Sequence, residues 1–123
     1  MNTVFIYLSM FFMHIVDDYY LQGWLANGKQ KSWWQDNAPQ ELYKYDYIMA
    51  LFMHSLSWSF MIMLPLAFWH QFNITPVFIT VFMINTILHA FIDDLKCNKK
   101  TINLIQDQSL HMMQIAITFM LLI

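Results

Sequence analysis

Four long apolar stretches, separated by short polar segments, dominate the pattern of hydrophobic and polar positions along the chain. They cover residues 3–22, 47–69, 76–95 and 104–123. Each is roughly 20 residues long, the length that an α-helix needs to cross about 30 Å of hydrocarbon. Because backbone groups in lipid must pair within their own segment, helices are the expected structure. The pattern predicts an all-α fold, an integral membrane bundle of four transmembrane helices in one domain of residues 1–123.

The segments between the apolar stretches carry helix-end signals. Gly23 is expected to end the first helix, because glycine readily adopts the left-handed conformation found at helix C-termini. Thr75 and Pro76 predict the start of the third helix, as an N-cap followed by a proline at the first helical position. In the loop of residues 23–46, Asn37 is expected to cap a short helix that begins near Pro39 and can run on into the second stretch.

Composition places the chain in lipid rather than in water. Hydrophobic residues make up 59% of it and aromatic residues 18%, against 11% charged residues. A water-soluble domain of this size has too much surface to bury so many apolar side chains. With a net charge of −2, the chain lacks the excess of basic residues typical of nucleic-acid-binding proteins, so no nucleic-acid partner is expected. The lone Cys97 excludes an internal disulfide and a cysteine-based zinc site.

All six lysines lie in two of the connecting segments, which predicts the orientation of the chain. Three fall between the first and second stretches and three between the third and fourth: Lys29, Lys31, Lys44, Lys96, Lys99 and Lys100. Cytoplasmic loops of membrane proteins are enriched in lysine, so both segments are expected in the cytoplasm and both termini outside. Tyrosines and tryptophans gather at the same edge, notably in the 23–46 loop, as in an interfacial aromatic belt. We therefore expect a multi-pass protein of the cytoplasmic membrane whose main partner is the lipid bilayer. The first stretch is interpreted as a retained membrane helix, because residues 1–3 lack the basic flank of a signal peptide.

Ionisable residues inside the predicted spans follow one pattern. Three spans carry a histidine and an aspartate four residues apart, and one span carries a lone histidine. The residues are His14 with Asp18, His89 with Asp93, Asp107 with His111, and the lone His54. Four-residue spacing puts two side chains on one helix face, one turn apart. Counted from the cytoplasmic ends at the helical rise, all four histidines lie roughly 10–13 Å deep. A layer of histidines beneath a layer of carboxylates is therefore expected.

Histidine and aspartate in this arrangement are the ligand types of zinc, manganese and iron. We expect a divalent metal centre, and the predicted ligands are His14, His54, His89, His111 and Asp107. Asp18 and Asp93 are expected to take part in its chemistry, while Lys96 neutralises anionic charge developing on a phosphate. A metal ion with an open coordination position lowers the pKa of a bound water and makes it a nucleophile. The pattern thus favours a metal-dependent hydrolase acting on a lipid or another phosphate- or acyl-bearing substrate.

Two other interpretations of the same residues stay open. Buried His–Asp pairs also act as hydrogen-bonded contacts that fix helix register, and a proton or ion path uses the same groups. Outside the cluster, His70 is expected to be exposed, and Asp17 and Asp94 to be solvated at helix ends. The oligomeric state is left open.

The order and spacing of these motifs resemble a family of small bacterial and phage integral membrane proteins of unknown function. The matching elements are His14 to Asp18 followed by Leu21-Gln22, then His54, then His89 to Asp93 followed by Lys96, then Asp107-Gln108 to His111. The resemblance covers nearly the whole chain apart from the 24–46 loop. It implies a four-helix membrane protein in which these polar residues act as a unit. It also raises a different class of function, a holin-like or host-membrane-modifying phage protein.

Overall fold

The computed structural model describes residues 2–123, and its main elements are four long helices joined by shorter ones. In chain order the elements are α1 (Thr3–Val16), a π-helical turn (Asp17–Leu21), α2 (Leu25–Gly28), α3 (Lys31–Asn37), a 3-10 turn (Glu41–Tyr43), α4 (Asp46–Trp69), α5 (Pro76–Cys97) and α6 (Leu104–Leu122). The long helices α1, α4, α5 and α6 pack against one another as a bundle. The predicted all-α class is confirmed.

Three helical stretches are long and apolar enough, by length and composition, to cross a membrane. They are Thr3–Leu21, Glu41–Trp69 and Pro76–Cys97. Large apolar side chains point outward along them: Phe5 is 67% exposed, Phe60 57% and Ile87 63%. A continuous outward-facing apolar surface is unusual for a protein in water and marks contact with a partner or with lipid. The exposed side chains therefore agree with a membrane location.

Local signals explain where the helices begin and end. Asn2 caps α1 by accepting a hydrogen bond from the backbone N–H of Val4, and Thr75 caps α5 by accepting from that of Phe78. Gly23 follows the π-helical turn with φ +57°, in the left-handed region where glycine carries no steric cost. The ends predicted from Gly23 and from Thr75-Pro76 are therefore confirmed.

The segment between α1 and α4 differs from its prediction. Asn37 is the last residue of α3 and not a cap, and only the 3-10 turn follows Pro39 before α4 begins at Asp46. The indole rings of Trp24, Trp33 and Trp34 meet edge to face at centroid distances of 5.0–5.9 Å. This aromatic packing holds α2 and α3 together as a compact segment of residues 24–37, here called the cap segment.

The cap segment is tied to the connection between α5 and α6. Asn98 accepts a hydrogen bond from the backbone N–H of Lys31 and donates one to the carbonyl of Lys29. Both lysine-bearing segments therefore lie at the same end of the bundle, here called the lysine end.

The interior of the bundle is apolar at one level and polar at the next. Met10, Trp58 and Ile115 belong to the buried apolar core. One helical turn from each of them stand buried histidines, at His14, His54 and His111. The polar level adjoins the lysine end, so the fold itself gathers the ionisable side chains beneath the cap segment.

Candidate metal centre

The four histidines of the long helices lie side by side in the bundle. His89 occupies the centre, with its ring 5.0 Å from that of His54 and 4.1 Å from that of His111, between centroids. The ring of His14 lies 6.0 Å from that of His111. All four are at most 2% exposed. The structure thus brings together the four histidines that the sequence placed at one depth.

Two neighbouring aspartates in the π-helical turn face His54. Oδ1 of Asp18 lies 3.4 Å from its Nε2, and Oδ2 of Asp17 lies 3.8 Å from its Nδ1. Asp17 is 1% exposed and accepts a 2.6 Å hydrogen bond from the hydroxyl of Ser57. The expectation that Asp17 is solvated is wrong, because it follows His14 by three residues and shares its face of the helix. π-helical turns are frequent at functional sites.

Asp93 of α5 is the hub of the cluster, since its two carboxylate oxygens face different partners. Its Oδ2 lies 3.3 Å from Nε2 of His54 and 3.5 Å from Nε2 of His89. Its Oδ1 lies 3.1 Å from Nε2 of His111. Asp93 therefore joins residues of α4, α5 and α6.

Asp107 and His111 of α6 form the far side of the cluster. Oδ1 of Asp107 lies 3.3 Å from Nε2 of His111, one helical turn away. The other ring nitrogen of His111, Nδ1, faces Oε1 of Gln114 at 3.0 Å. Gln114 in turn donates through Nε2 to the backbone carbonyl of Asn85.

Several buried polar atoms of the cluster make no hydrogen bond to any group in residues 2–123. They are both ring nitrogens of His54, both ring nitrogens of His89, one oxygen each of Asp17, Asp18 and Asp107. Buried polar groups are rarely left in this state, because each costs about 1–3 kcal/mol. Neighbouring ligands of a tetrahedral ion with bonds of 2.0–2.1 Å are about 3.3 Å apart. The nitrogen–oxygen separations of 3.1–3.5 Å at His54, His89 and His111 match this spacing.

Two groups of side chains meet the geometric requirement of a metal site. One consists of Asp18, His54 and His89, and the other of His89, Asp93 and His111. Within each group, one ligand atom from every residue lies within 4.8 Å of the others. The residues present therefore fit a divalent ion bound by imidazole nitrogens and carboxylate oxygens.

His14 differs from His54 and His89 because both of its ring nitrogens make hydrogen bonds. Trp58 donates its indole N–H to Nδ1 of His14 at 2.8 Å. Nε2 of His14 faces Oε1 of Gln108 at 2.9 Å, and Gln108 donates to Oδ2 of Asp107 at 3.0 Å. An indole can only donate, so Nδ1 is the acceptor and Nε2 carries the proton. The role of His14 as a ligand stays a prediction, and we leave it out of the ligand set proposed below.

Lys29 of the cap segment reaches into the cluster, which the sequence analysis missed. Its Nζ lies 2.9 Å from Oδ2 of Asp93, and the residue is 8% exposed. Burial alone would lower the pKa of Lys29, but the negative charge of Asp93 raises it above its usual value, so Lys29 is a cation at neutral pH. No sequence signal separates Lys29 from the other loop lysines, since its burial depends on how the cap segment folds.

The remaining residues singled out in the sequence lie at the edge of the cluster or away from it. Lys96 is half-buried, with its Nζ 3.9 Å from Oδ2 of Asp107. Asp94 is half-buried and accepts a hydrogen bond from Asn98. His70 is also half-buried rather than exposed, with Nε2 against the backbone carbonyl of Leu122.

No family model, curated protein or solved structure matches this chain. The resemblance to small phage and bacterial membrane proteins stays a prediction. The geometry of the site is therefore the basis on which a function is assigned.

Proposed function

We propose that this chain is a four-span membrane protein that binds a divalent transition-metal ion among its buried histidines and aspartates and hydrolyses a lipid or another phosphate- or acyl-bearing substrate. The primary ligand set is Asp18, His54, His89 and Asp93. The observation that carries this proposal is the state of His54 and His89. Their buried ring nitrogens lack hydrogen bonds within residues 2–123, yet their Nε2 atoms lie 3.3–3.5 Å from carboxylate oxygens.

This observation favours a metal over hydrogen-bonded contacts between helices. A histidine whose role is to fix helix register is expected to use its ring nitrogens in hydrogen bonds, as His14 does with Trp58 and Gln108. His54 and His89 are equally buried but do not. A bound cation would use these nitrogens and offset the carboxylates around them, which are costly to bury unpaired.

The distribution of side chains on α6 supports it as the fourth span. Its buried face carries Asp107, His111, Gln114 and Thr118. Its outward face is apolar, with Ile105 77% exposed, Met120 69% and Leu121 63%. The inward polar residues lower the mean hydropathy of the helix, and its exposed polar side chains, Gln106 and Ser109, lie in the first two turns. At 19 residues, α6 is about 28 Å long, close to the thickness of the hydrocarbon layer.

The lysine end supports an orientation with that end in the cytoplasm and both termini outside. All six lysines of the chain belong to the two segments that meet there, and the short connection between α4 and α5 carries none. Lysine-rich loops are retained on the cytoplasmic side of membranes. The metal site would then open towards the headgroups of the cytoplasmic leaflet.

The protein's own residues suit hydrolysis of an anionic substrate at that position. A bound divalent ion supplies Lewis acidity and a water of lowered pKa. Lys96 is half-exposed beside Asp107, where its ammonium group can neutralise charge on a phosphate. Oδ1 of Asp18 is buried beside Nε2 of His54 and makes no hydrogen bond within residues 2–123, so this oxygen is available as a metal ligand. Lys29 of the cap segment contacts Asp93, and His54, His89 and His111 are at most 1% exposed, so the rest of the cluster is shielded from bulk water.

Elemental analysis of detergent-purified protein tests the metal part of the proposal. After equilibration with Zn²⁺, Mn²⁺ or Fe²⁺ and removal of excess metal, we expect at least one ion per chain in the wild type. His89→Ala and His54→Gln should bind less metal than the wild type, while His70→Ala, a histidine outside the cluster, should bind as much. The proposal would be contradicted if the wild type bound no metal. It would also be contradicted if both cluster variants, with native helix content, bound as much metal as the wild type.

The hydrolytic part is tested with vesicles of phosphatidylethanolamine and phosphatidylglycerol. Metal-loaded protein reconstituted in them should release fatty acid or a phosphate-bearing headgroup, and a chelator should stop the release. Activity that persists in His89→Ala or with chelator would contradict a metal-dependent reaction.

A further inference from the structure

The candidate site contains more ligand atoms than one ion uses. Four ligands complete a typical zinc site, and the proposed set of Asp18, His54, His89 and Asp93 would supply them. His111 and Asp107 lie on the opposite side of Asp93, with Nε2 of His111 between two carboxylate oxygens at 3.1 Å and 3.3 Å. We propose that this region is a second divalent metal position, so that the protein holds a two-metal centre bridged by Asp93.

The proton position on His111 supports this second site. Gln114 donates through Nε2 to a backbone carbonyl, that of Asn85, and a carbonyl can only accept. The side-chain oxygen of Gln114 therefore faces Nδ1 of His111, at 3.0 Å, and Nδ1 must carry the proton. In the neutral imidazole this leaves a lone pair on Nε2, aimed at the oxygens of Asp93 and Asp107.

A lone pair that faces two carboxylates is repulsive unless a cation lies among them. The ring of His111 can supply the cation itself by taking a second proton, or a metal ion can bind to Nε2. Asn85 continues the chain of hydrogen bonds by donating to Thr118 at 2.7 Å, and it also accepts from Gln114. Because these amides fix the ring of His111, its Nε2 stays aimed at one point, as metal-binding histidines require.

The two oxygens of Asp93 relate the second position to the first. Oδ2 faces His54 and His89, and Oδ1 faces His111. A carboxylate that offers one oxygen to each of two ions brings them close together, as in hydrolytic centres whose ions are about 3.5–4 Å apart. His89 also belongs to both groups of side chains that meet the distance requirement of a metal site.

Charge indicates the kind of ligand that a two-metal centre would take. The cluster contains four carboxylates, from Asp17, Asp18, Asp93 and Asp107, and two ammonium groups, from Lys29 and Lys96. With neutral histidines, one divalent ion balances these charges and a second leaves an excess of two positive charges. A dianionic phosphate matches this excess, so the inference, which rests on the proposed function, narrows its substrate class to phosphate esters.

The test is metal stoichiometry measured across variants in detergent. With Zn²⁺ we expect two ions per chain in the wild type and in His70→Ala. His111→Ala and Asp107→Asn should bind one, with native helix content, because Asp18, His54 and His89 are untouched. His54→Ala should lose the other position.

The other outcomes separate failure of this inference from failure of the proposed function. One ion per chain in the wild type overturns the second position and leaves the proposed function standing. Loss of all metal in Asp107→Asn points to one shared site and also overturns it. No metal in the wild type overturns both.

Spectroscopy of the wild type keeps the inference testable if the variants do not fold. Protein saturated with Mn²⁺ should give the electron paramagnetic resonance spectrum of two coupled ions. The spectrum of an isolated Mn²⁺ at saturation would overturn the bridged pair.

Discussion

Trp58 donates its indole N–H to Nδ1 of His14 across 2.8 Å, and this contact begins a path of hydrogen bonds that ends on a carboxylate of the candidate metal centre. From His14 the path runs through Gln108 to Oδ2 of Asp107. The ring of Trp58 also stacks on His89, with centroids 4.2 Å apart. The side chain of Trp58 thus orients His89 within the candidate site and His14 beside it, without supplying a ligand atom.

Removal of His14 should weaken metal binding without removing a bound ion. In His14→Ala the path to Asp107 is broken, and loss of such indirect support typically costs 10–100-fold in metal affinity. At saturating Zn²⁺ the stoichiometry should equal that of the wild type, whereas His54→Ala should lose metal. Titration against a competing chelator measures both quantities. If His14→Ala loses as much bound metal as His54→Ala, His14 is a ligand after all.

Trp58→Phe should destabilise the protein by about 1–3 kcal/mol, because Nδ1 of His14 is then buried without its donor. Phenylalanine keeps most of the stacking area, so the loss reports mainly the hydrogen bond. Thermal or denaturant unfolding in detergent provides the measurement. Trp69→Phe, at a half-buried tryptophan of the same helix, is the control, and an equal loss there would assign the effect to aromatic volume instead.

Lys29→Met should raise the metal affinity about tenfold or more. The ammonium group of Lys29 and a bound ion both need Oδ2 of Asp93, and hydrogen bonds between charged groups contribute about 1.5–3 kcal/mol. Lys44→Met is the control, because Lys44 pairs with exposed Glu41 at the surface and lies away from the cluster. Chelator competition on both variants gives the comparison. Weaker binding in Lys29→Met would mean that the lysine supports the ion rather than competes with it.

The four-span arrangement predicts where engineered cysteines react. In a Cys97→Ser background, Ile123→Cys and Asn73→Cys should react with a membrane-impermeant maleimide from outside the cell. Lys44→Cys should react only after the membrane is permeabilised. Protection of Ile123→Cys together with Lys44→Cys would show that α6 does not cross the bilayer, because its two ends would then share a side.

Orthophosphate should bind to the metal-loaded protein and not to the metal-free protein. Without metal, the carboxylates of the cluster outnumber the lysines and repel an anion, while bound ions reverse the sign of the local charge. Equilibrium dialysis with labelled phosphate, with and without chelator, measures the difference. Equal binding under both conditions would assign phosphate to the surface lysines.

Much of the fold was predictable because membrane helices carry strong local signals. The ends at Gly23 and at Thr75-Pro76 follow from backbone conformations that single residues dictate. The cap predicted at Asn37 was wrong because the segment before α4 is organised by contacts distant in sequence. The Trp24, Trp33 and Trp34 rings pack together, and Asn98 anchors the backbone of Lys31.

The distinction between local helical signals and contacts distant in sequence also explains which parts of the candidate site were predictable. Helical spacing and depth were enough to bring His54, His89 and His111 together with Asp93, since straight antiparallel helices preserve both. The three-residue spacing from His14 also indicated that Asp17 faces the cluster. This signal was missed because Asp17 was interpreted only as a residue at a helix end. Lys29 could not be found, because a folded loop and not a helix face carries it to Asp93.

The ion pair of Lys29 and Asp93 also couples the buried site to the surface. Under the proposed metal binding, the lysine and the ion would compete for one carboxylate oxygen, so each would weaken the binding of the other by the same factor. Displacement of the cap segment from the bundle would then raise the metal affinity of the site, and metal binding would in turn weaken the contact between that segment and the bundle. The conformation of a segment at the surface would thus report the occupancy of a site inside the bundle.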